Sequence, residues 1–193
     1  PLGALRLGIA NLERKLATEP FDLGYTQEKL NRMDEIIERI NKLIVGMKTF
    51  GRVHDAELEV LDLGQSVQTV TDLLGEQLGL REVSLSVMPI EKPMLVRGAT
   101  MKLEQVWINL LNNAADSITE VGAGGEIVIS LEEQGNHLLL AVEDNGPGFP
   151  PDLMERLMEP FFTTKAPGKG TGLGLSYSQG IVTELGGSMR LEN

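Results

Sequence analysis

The chain contains no cysteine, which excludes disulfide bonds and metal sites built on thiolates. It has no apolar run of about 18 residues, the length of a membrane-spanning helix, and no signal-peptide pattern. Its formal net charge of -11 argues against a nucleic-acid surface, which needs clustered basic residues. The 193 residues are 41% hydrophobic and 23% charged, which predicts one or two soluble, cytoplasmic domains. Whether a longer parent protein crosses a membrane is a separate question.

The first fifty residues have the apolar spacing of amphipathic helices. In a first series, an aliphatic residue recurs every three or four positions, at Leu2, Leu5, Ile9, Leu12 and Leu16. Pro20 and Gly24 then predict the end of this helix. A second series follows at Met33, Ile36, Ile40, Leu43, Met47 and Phe50. Ile37 and Ile44 widen the second stripe, so the predicted hairpin has one broad apolar face.

A second copy of the chain is the economical cover for this face. Two hairpins would then form a dimeric four-helix bundle, which makes the chain a homodimer. The alternative is a hairpin that packs on the C-terminal half of its own chain. Because the helical spacing ends near residues 52–60, we expect a dimerisation hairpin over residues 1–54 and a second domain over residues 55–193.

The second domain mixes strands and helices. VSLSV (83–87) and PMLVRG (93–98) are extended in pattern, and EIVISLEE and HLLLAVED predict a hairpin joined by QGN. Helices are expected over residues 100–119 and from Gly172 to Leu185, and a final strand at SMRLE (188–192). Runs of strands with helices on one face predict an α+β sandwich.

A glycine-rich stretch, KGTGLGLS (169–176), precedes the last predicted helix. A P-loop would need Ser or Thr after Lys169, where Gly170 stands, and a dinucleotide fingerprint would need a third glycine at Leu175. Both motifs are therefore excluded. By itself, the remaining G-x-G-x-G pattern fits an ordinary loop as well as a ligand-binding one.

Two further patterns suggest a nucleotide. Asp144 ends a predicted strand and opens DNGPGF, where a carboxylate can accept a hydrogen bond from an exocyclic amine and glycines leave room for a ring. Asn109 and Asn113 are four residues apart and share a helix face, and their amide oxygens are hard ligands suited to Mg²⁺. Taken singly, D-x-G-x-G is most often a turn. The alternative for the asparagines is a solvated helix face, which is weakened because Val106, Leu110 and Ala114 flank them.

The order of the patterns resembles one family, the sensor histidine kinases of two-component systems. NLLNNAADS is similar to their Asn box, DNGPGF to the first glycine box, EPFFTTK to the Phe box and GTGLGL to the second glycine box. The resemblance covers essentially the whole chain. It implies a helical hairpin that forms a dimeric four-helix bundle, followed by the α/β sandwich ATP-binding domain shared with gyrase, a heat-shock chaperone and the mismatch-repair clamp.

The resemblance also implies a site for ATP and Mg²⁺. Asp144 would contact the adenine amine beside Gly146 and Gly148, and Asn113 with Asn109 would hold Mg²⁺ and the phosphates. A lid would span roughly residues 150–169, and its Lys165 would reach the terminal phosphate. The boxes supply the other residues assigned to ATP: Asp116, Gly170, Thr171, Gly172, Leu173 and Gly174. The glycines would bring the N-terminus of a helix against phosphate oxygens.

Two departures from the wider superfamily bear on activity. ATP-hydrolysing members have a glutamate where Asn109 stands, and an amide cannot take a proton from water, so hydrolysis is expected to be slow. The family's phosphoacceptor histidine lies in an H-E-x-x-x-P motif, and Pro1 matches the motif's end. That histidine is therefore expected upstream, unless PLG is a remnant of an expression tag. His54 and His137 are expected to be structural or exposed, so we assign no catalytic residue within the chain.

The sequence thus predicts the kinase core of a sensor histidine kinase. In the intact protein, the γ-phosphoryl group of ATP would pass to a bundle histidine and then to an aspartate in a response-regulator receiver domain. The 193 residues alone are expected to bind ATP without autophosphorylation, and one strand of the family's fold is expected beyond SMRLEN. The alternatives are a non-catalytic, nucleotide-binding dimeric scaffold and an ATP-driven clamp of the gyrase type.

Overall fold

The structure is a computed structural model that describes residues 2–18, 22–33, 36, 57–122, 124–165 and 170–193. The chain forms two compact units: Pro1–Arg52 with Thr164–Thr171, and Val53–Thr163 with Gly172–Asn193. Most of the second apolar series, from Ile37 to Phe50, lies outside the described residues, and so does His54. Among the described residues, no helix is long and apolar enough to cross a membrane.

The described residues of the first unit form two helices, α1 (Leu2–Thr18) and α2 (residues 23–33). The two helices pack side by side. Gly8 of α1 lies close to Met33 of α2, since a Cβ added to Gly8 would come within 3.3 Å of Met33 Cε. Lys15 Nζ of α1 lies 3.8 Å from the centre of the Tyr25 ring of α2. The Asp22 carboxylate accepts the backbone N–H of Tyr25 at 3.0 Å and so caps the start of α2. The predicted break between the two helices is too long, because Gly24, which was expected to lie in it, already belongs to α2.

The described strands of the second unit form two small sheets. Strands β1 (Glu59–Asp62) and β3 (Leu95–Gly98) pair antiparallel. Strand β2 (Val83–Val87) pairs parallel to β4 (Gly125–Gln134), which pairs antiparallel to β5 (His137–Asp144). The β4–β5 hairpin turns at Gly135, whose φ of +62° is the left-handed conformation that glycine adopts without strain.

The described residues of the second unit also form three α-helices, α3 (Leu63–Gly79), α4 (Thr100–Glu120) and α5 (Gly174–Glu184), and a 3₁₀ helix at Pro151–Arg156. Helices α3 and α4 pack on the mixed sheet, and α5 packs on α4. The centre of the core is apolar and fully buried, with Val67, Val70, Val106, Leu111, Ile118, Ile127 and Ile181. Each such aliphatic side chain contributes about 1.5–3 kcal/mol by its burial. The predicted α+β class, with helices layered on a mixed sheet, is confirmed.

Two predictions for this unit need correction, and one helix was missed. Helix α3 was not predicted, although its buried residues recur at helical spacing and Asp62 caps it by accepting the N–H of Gly64 at 3.0 Å. The last helix begins at Gly174 and not at Gly172, since Gly172 has a positive φ of +64°. The strand predicted at SMRLE is absent, because residues 187–193 pair with no strand of the described part of the chain.

Candidate functional site

One face of α4 carries the predicted asparagines. Asn109 and Asn113 are half-buried and lie one turn apart, with Ser117 one turn further along. The Asn109 amide is engaged at both ends: its Oδ1 accepts from Gln105 Nε2 at 3.3 Å, and its Nδ2 donates to Ser178 Oγ at 3.4 Å. Ser178 is fully buried in α5, so this contact fixes α5 against the first half of the α4 face.

Asn113 differs from its neighbour Asn112 in what its amide contacts. The Asn112 amide donates to the backbone carbonyl of Ile108 at 2.9 Å and is thereby satisfied by its own helix. Among the described residues, none exchanges a hydrogen bond with the Asn113 side chain. A Cβ on Gly174, the first residue of α5, would lie 3.5 Å from Asn113 Nδ2. Asn113 therefore presents its amide beside the N-terminus of α5.

The first glycine loop, defined as Asp144–Phe149, follows directly from the end of β5. Asp144 is exposed, and its Oδ1 accepts the backbone N–H of Gly146 at 2.9 Å. Within the described part of the chain, its second carboxylate oxygen accepts no hydrogen bond. Gly146 lies against α4, because a Cβ there would come within 2.8 Å of Ser117 Oγ. The loop can approach the helix this closely only with glycine at that position.

The second glycine segment contacts the Phe box. The carbonyl of Gly172 accepts the backbone N–H of Phe161 at 2.8 Å, and a Cβ on Gly172 would lie 2.6 Å from the carbonyl oxygen of Phe162. Leu173 then provides the N-cap of α5, with its carbonyl accepting the N–H of Tyr177 at 2.9 Å. The two boxes are therefore joined through backbone at the point where α5 begins.

Helices α4 and α5 are joined at their other ends by an ion pair. Lys102 is 8% exposed, and its Nζ donates to Glu184 Oε1 at 2.8 Å. Burial raises the pKa of the nearby Tyr177 phenol, and the Glu184 carboxylate raises it further, so this side chain is neutral at neutral pH. These contacts hold α5 in register along α4 and so fix the position of Gly174 beside Asn113.

Asp116 lies in the same box but makes a different set of contacts. Its Oδ1 accepts from Arg81 Nη2 at 2.7 Å, and the same guanidinium nitrogen donates to Thr119 Oγ1 at 3.0 Å. Arg81 lies in the turn between α3 and β2, so the ion pair ties that turn to α4. This geometry gives Asp116 a structural role within the unit, and its assignment to ATP stays a prediction.

The α4 face thus brings together three of the four predicted boxes. Asn109 contacts α5 through Ser178, Asn113 lies beside Gly174, and Ser117 contacts Gly146. The remaining predicted residues, Lys165, Gly170 and Thr171, belong to the segment that groups with the first unit. Their assignment to the nucleotide also stays a prediction. His137 is exposed at the start of β5, as expected.

Amide oxygen is the donor chemistry available for a metal at this face. No group of three or more His, Asp or Glu in the described residues could hold an ion by itself. Asn113 offers an amide oxygen that no described residue occupies, and Mg²⁺ prefers oxygen ligands together with water and substrate phosphates. The residues present therefore fit Mg²⁺ only as an ion that shares its ligands with a bound phosphate.

Four residues that contribute to this arrangement were missed in the sequence. Ser117, Ser178, Arg81 and Asn193 all contact a predicted site residue or its loop. Ser117 lies in the quoted Asn box at helical spacing from Asn113, so a search along that face would have found it. Ser178, Arg81 and Asn193 have no local signal, because their partners are 35 to 69 residues away in sequence.

Comparison with known proteins also points to an ATP-binding domain of the histidine kinase type. Residues 98–193 match the family described as histidine kinase-, DNA gyrase B-, and HSP90-like ATPase, and every predicted site residue falls inside this range. The two-component sensor PprA of Pseudomonas aeruginosa is 39% identical over 200 residues, which cover 100% of this chain and 21% of PprA. The chain therefore spans only a minor part of that relative's length.

Two solved structures of the histidine kinase ThkA have a similar fold. The catalytic domain of the histidine kinase ThkA is 30% identical, with a TM-score of 0.59 over 66% of this chain and 81% of that domain. The structure of ThkA in complex with the response regulator protein TrrA gives a TM-score of 0.73 over 100% of this chain and 55% of ThkA. At 22% identity, the second likeness shows the shared fold alone.

Proposed function

Because the chain belongs to the sensor histidine kinases and carries their ATPase-type domain, we propose that it binds Mg²⁺-ATP as the cytoplasmic kinase core of a longer sensor protein. In that protein, the γ-phosphoryl group passes to a histidine and then to an aspartate of a response-regulator receiver domain. The kinase core acts as a homodimer. The α4 face that joins the Asn box to both glycine boxes is the observation that supports this proposal most directly.

The glycine loop supplies the adenine end of the site in this proposal. Asp144 keeps one carboxylate oxygen on the N–H of Gly146, which leaves the other oxygen to accept the exocyclic amine of adenine. Gly146 and Gly148 present backbone without side chains, so a flat ring can lie against the loop. The loop contacts α4 at Ser117. This contact fixes where adenine lies relative to Asn109 and Asn113.

The Asn113 amide and the N-terminus of α5 supply the phosphate end. Backbone N–H groups at the start of a helix attract phosphate oxygens, and Gly174 brings them beside Asn113. When bound there, Mg²⁺ neutralises charge on the transferring phosphate. Asn113 holds the ion through its amide oxygen, and Asn109 positions α5 through Ser178. Lys165, by its place in the Phe box, is proposed to reach the terminal phosphate.

The chemistry at Asn109 favours phosphoryl transfer over hydrolysis. An amide is neither acid nor base at neutral pH, and both ends of this amide are occupied by Gln105 and Ser178. Asn109 therefore does not activate water. Catalysis in the longer protein then comes from positioning of the acceptor and neutralisation of the phosphate charge, which is typical of kinases.

The acceptor histidine is proposed to lie outside the 193 residues. Neither His54 nor His137 stands in an H-E-x-x-x-P motif, and His137 is an exposed residue in the β4–β5 hairpin. We propose that the acceptor lies on the first helix of a bundle formed by the hairpins of two chains. The apolar positions Ile9 and Leu16 are 42% and 48% exposed on α1 in the single chain, as expected for a face that a second copy covers.

The test uses ATP radiolabelled in its γ-phosphate, with the 193-residue chain and with its parent protein. We expect both to bind ATP, and only the parent to gain phosphate that is labile in acid and stable in base. Parent protein with Asp144→Asn should lose the label. Nucleotide binding without any phosphoprotein would favour the scaffold, and ATP-driven opening and closing with steady hydrolysis would favour the clamp.

A further inference from the structure

The Asn193 side chain bonds the backbone of Phe149 as a residue of a neighbouring strand would. Its Oδ1 accepts the backbone N–H of Phe149 at 2.8 Å, and its Nδ2 donates to the Phe149 carbonyl at 2.6 Å. One side chain thereby satisfies both backbone polar groups of a residue 44 positions earlier in the chain. A residue in an antiparallel ladder exchanges the same two hydrogen bonds with its partner. The contact therefore fixes the path of the chain where the first glycine loop ends.

Gly148 is fitted to the Asn193 amide. Its φ is +68°, and a Cβ there would lie 2.8 Å from Asn193 Oδ1. Both the left-handed backbone and the close approach require glycine at this position. The conformation of Gly148 and the contact of Phe149 are thus parts of a single arrangement around the Asn193 side chain.

The other end of the loop is held by a second asparagine. Asn145 Oδ1 accepts the backbone N–H of Glu126 at 2.9 Å, and the N–H of Asn145 donates to the Glu126 carbonyl at 3.3 Å. Only Gly146, Pro147 and Gly148 lie between the two held residues. If the Phe149 end were released, two glycines would allow this short span to adopt many conformations.

We propose that Asn193 is a positioning residue for nucleotide binding, which holds the first glycine loop in its binding geometry before the nucleotide arrives. The inference rests on the proposed function, since it assumes that this loop receives adenine. A loop that is already ordered loses less conformational entropy on binding, so the affinity is higher. Asn193 acts through Gly148 and Phe149 and touches no phosphate. Its effect is therefore the same for ATP, ADP and adenosine.

The test compares the unchanged 193-residue chain with Asn193→Ala. In the variant, we expect faster hydrogen exchange at the Phe149 amide and affinities for ATP, ADP and adenosine that all fall by about three- to tenfold. Exchange at the Glu126 amide, which is held by Asn145, should stay unchanged. Asn193→Asp provides a second variant: it keeps an acceptor for the Phe149 N–H but turns a carboxylate oxygen toward the Phe149 carbonyl, so it should bind no better than Asn193→Ala.

Glu192→Gln is the matched control. Glu192 is the adjacent residue, its side chain is 70% exposed, and within the described part of the chain it pairs only with Arg190, at 2.9 Å. This variant should bind all three ligands as the unchanged chain does. Thermal unfolding of each variant verifies that the unit remains folded.

Two results would overturn the inference while leaving the proposed function intact. One is a folded Asn193→Ala chain with unchanged affinities despite faster exchange at Phe149. The other is a loss confined to ATP and ADP, which would place Asn193 at the phosphates. Failure of the unchanged chain to bind any of the three ligands would instead overturn the proposed function and, with it, the inference.

Discussion

Phe161 and Gly172 are locked together through their backbones in two left-handed conformations. The N–H of Phe161 donates to the Gly172 carbonyl at 2.8 Å, and the φ angles of the two residues are +68° and +64°. A positive φ at a bulky residue such as Phe161 is strained and persists only where its surroundings enforce it. Gly172 provides that enforcement, since its bare Cα lies against the Phe162 carbonyl.

Gly172→Ala should therefore disrupt the start of α5. The alanine would need a left-handed backbone, and its Cβ would lie 2.6 Å from the Phe162 carbonyl oxygen. We expect the free energy of unfolding to fall by about 1–3 kcal/mol, as measured by denaturant titration. ATP affinity should fall as well, because the displaced residues lead into the helix N-terminus at Asn113.

Gly180→Ala is the control for this change. Gly180 is an exposed glycine inside α5, and a Cβ there meets no atom within 4 Å among its surroundings. Alanine at this position should be neutral or should stabilise the unit by about 0.5–1 kcal/mol. Equal effects of the two substitutions would contradict the special conformation of Gly172.

Asp144→Asn should weaken the binding of every adenine ligand. Asparagine keeps an oxygen for the Gly146 N–H, but replaces the second carboxylate oxygen by an NH₂ group that faces the amine of adenine. Loss of a charge-assisted hydrogen bond costs about 1.5–3 kcal/mol, which corresponds to a rise in Kd of about ten- to a hundredfold or more. Calorimetric titration with ATP and with adenosine measures this rise in Kd.

Glu143→Gln is the control for Asp144. Glu143 is the preceding residue of β5, is also exposed, and pairs with Val128 in the sheet. It should leave both affinities unchanged. An Asp144→Asn chain that binds ATP as tightly as the unchanged chain would remove Asp144 from the adenine site.

The local parts of this fold could be predicted from sequence because their signals are local. Gly135 between two extended segments indicates the β4–β5 hairpin, and the spacing of apolar residues indicates α4. Asp144 could be placed at a strand end for the same reason. Helix α3 also had a readable signal in Asp62 and the spacing of Val67, Val70 and Leu74, but it was overlooked beside the more conspicuous strands.

The remaining parts depend on partners that are distant in sequence. Strand β1 is four residues long with a charge at each end, and it becomes a strand by pairing with Leu95–Gly98. The residues of SMRLE alternate like a strand but find no strand partner in the described part of the chain, so the pattern was misleading. Asn193 likewise has no motif of its own, because its role comes from contact with Phe149.

Asn113→Ala should separate metal-dependent binding from base binding. The Asn113 amide lies beside the N-terminus of α5, where the phosphates are proposed to bind. Asp144, by contrast, is proposed to bind adenine. We expect the gain in ATP affinity that Mg²⁺ provides to be lost, while adenosine binds as before. The measurement is calorimetry of both ligands with Mg²⁺ and with a chelator present.

Asn112→Ala is the control for Asn113. The two residues are adjacent, but the Asn112 amide is committed to the Ile108 carbonyl on its own helix. Its removal should leave the Mg²⁺ dependence of ATP binding intact. If both alanine variants lost the Mg²⁺ effect equally, the metal would have to be assigned elsewhere on α4.

The proposed dimer can be tested on α1, where the structure describes the apolar stripe. Ile9 and Leu16 lie on this stripe and remain 42% and 48% exposed in the single chain. In a four-helix bundle, a partner chain would bury both, and a glutamate there would lose its hydration without a compensating partner. A chain with both Ile9→Glu and Leu16→Glu should therefore be a monomer by light scattering.

Leu7→Glu provides the matched control, because Leu7 lies on the same helix but off the stripe and is 64% exposed. This variant should remain a dimer, since its carboxylate stays in water. The adenosine affinity of all three chains should be equal, because the glycine loop and Asp144 lie in the second unit. A double variant that is still dimeric would exclude this stripe from the interface. An unchanged chain that is already a monomer would instead favour the alternative in which the hairpin packs on its own chain.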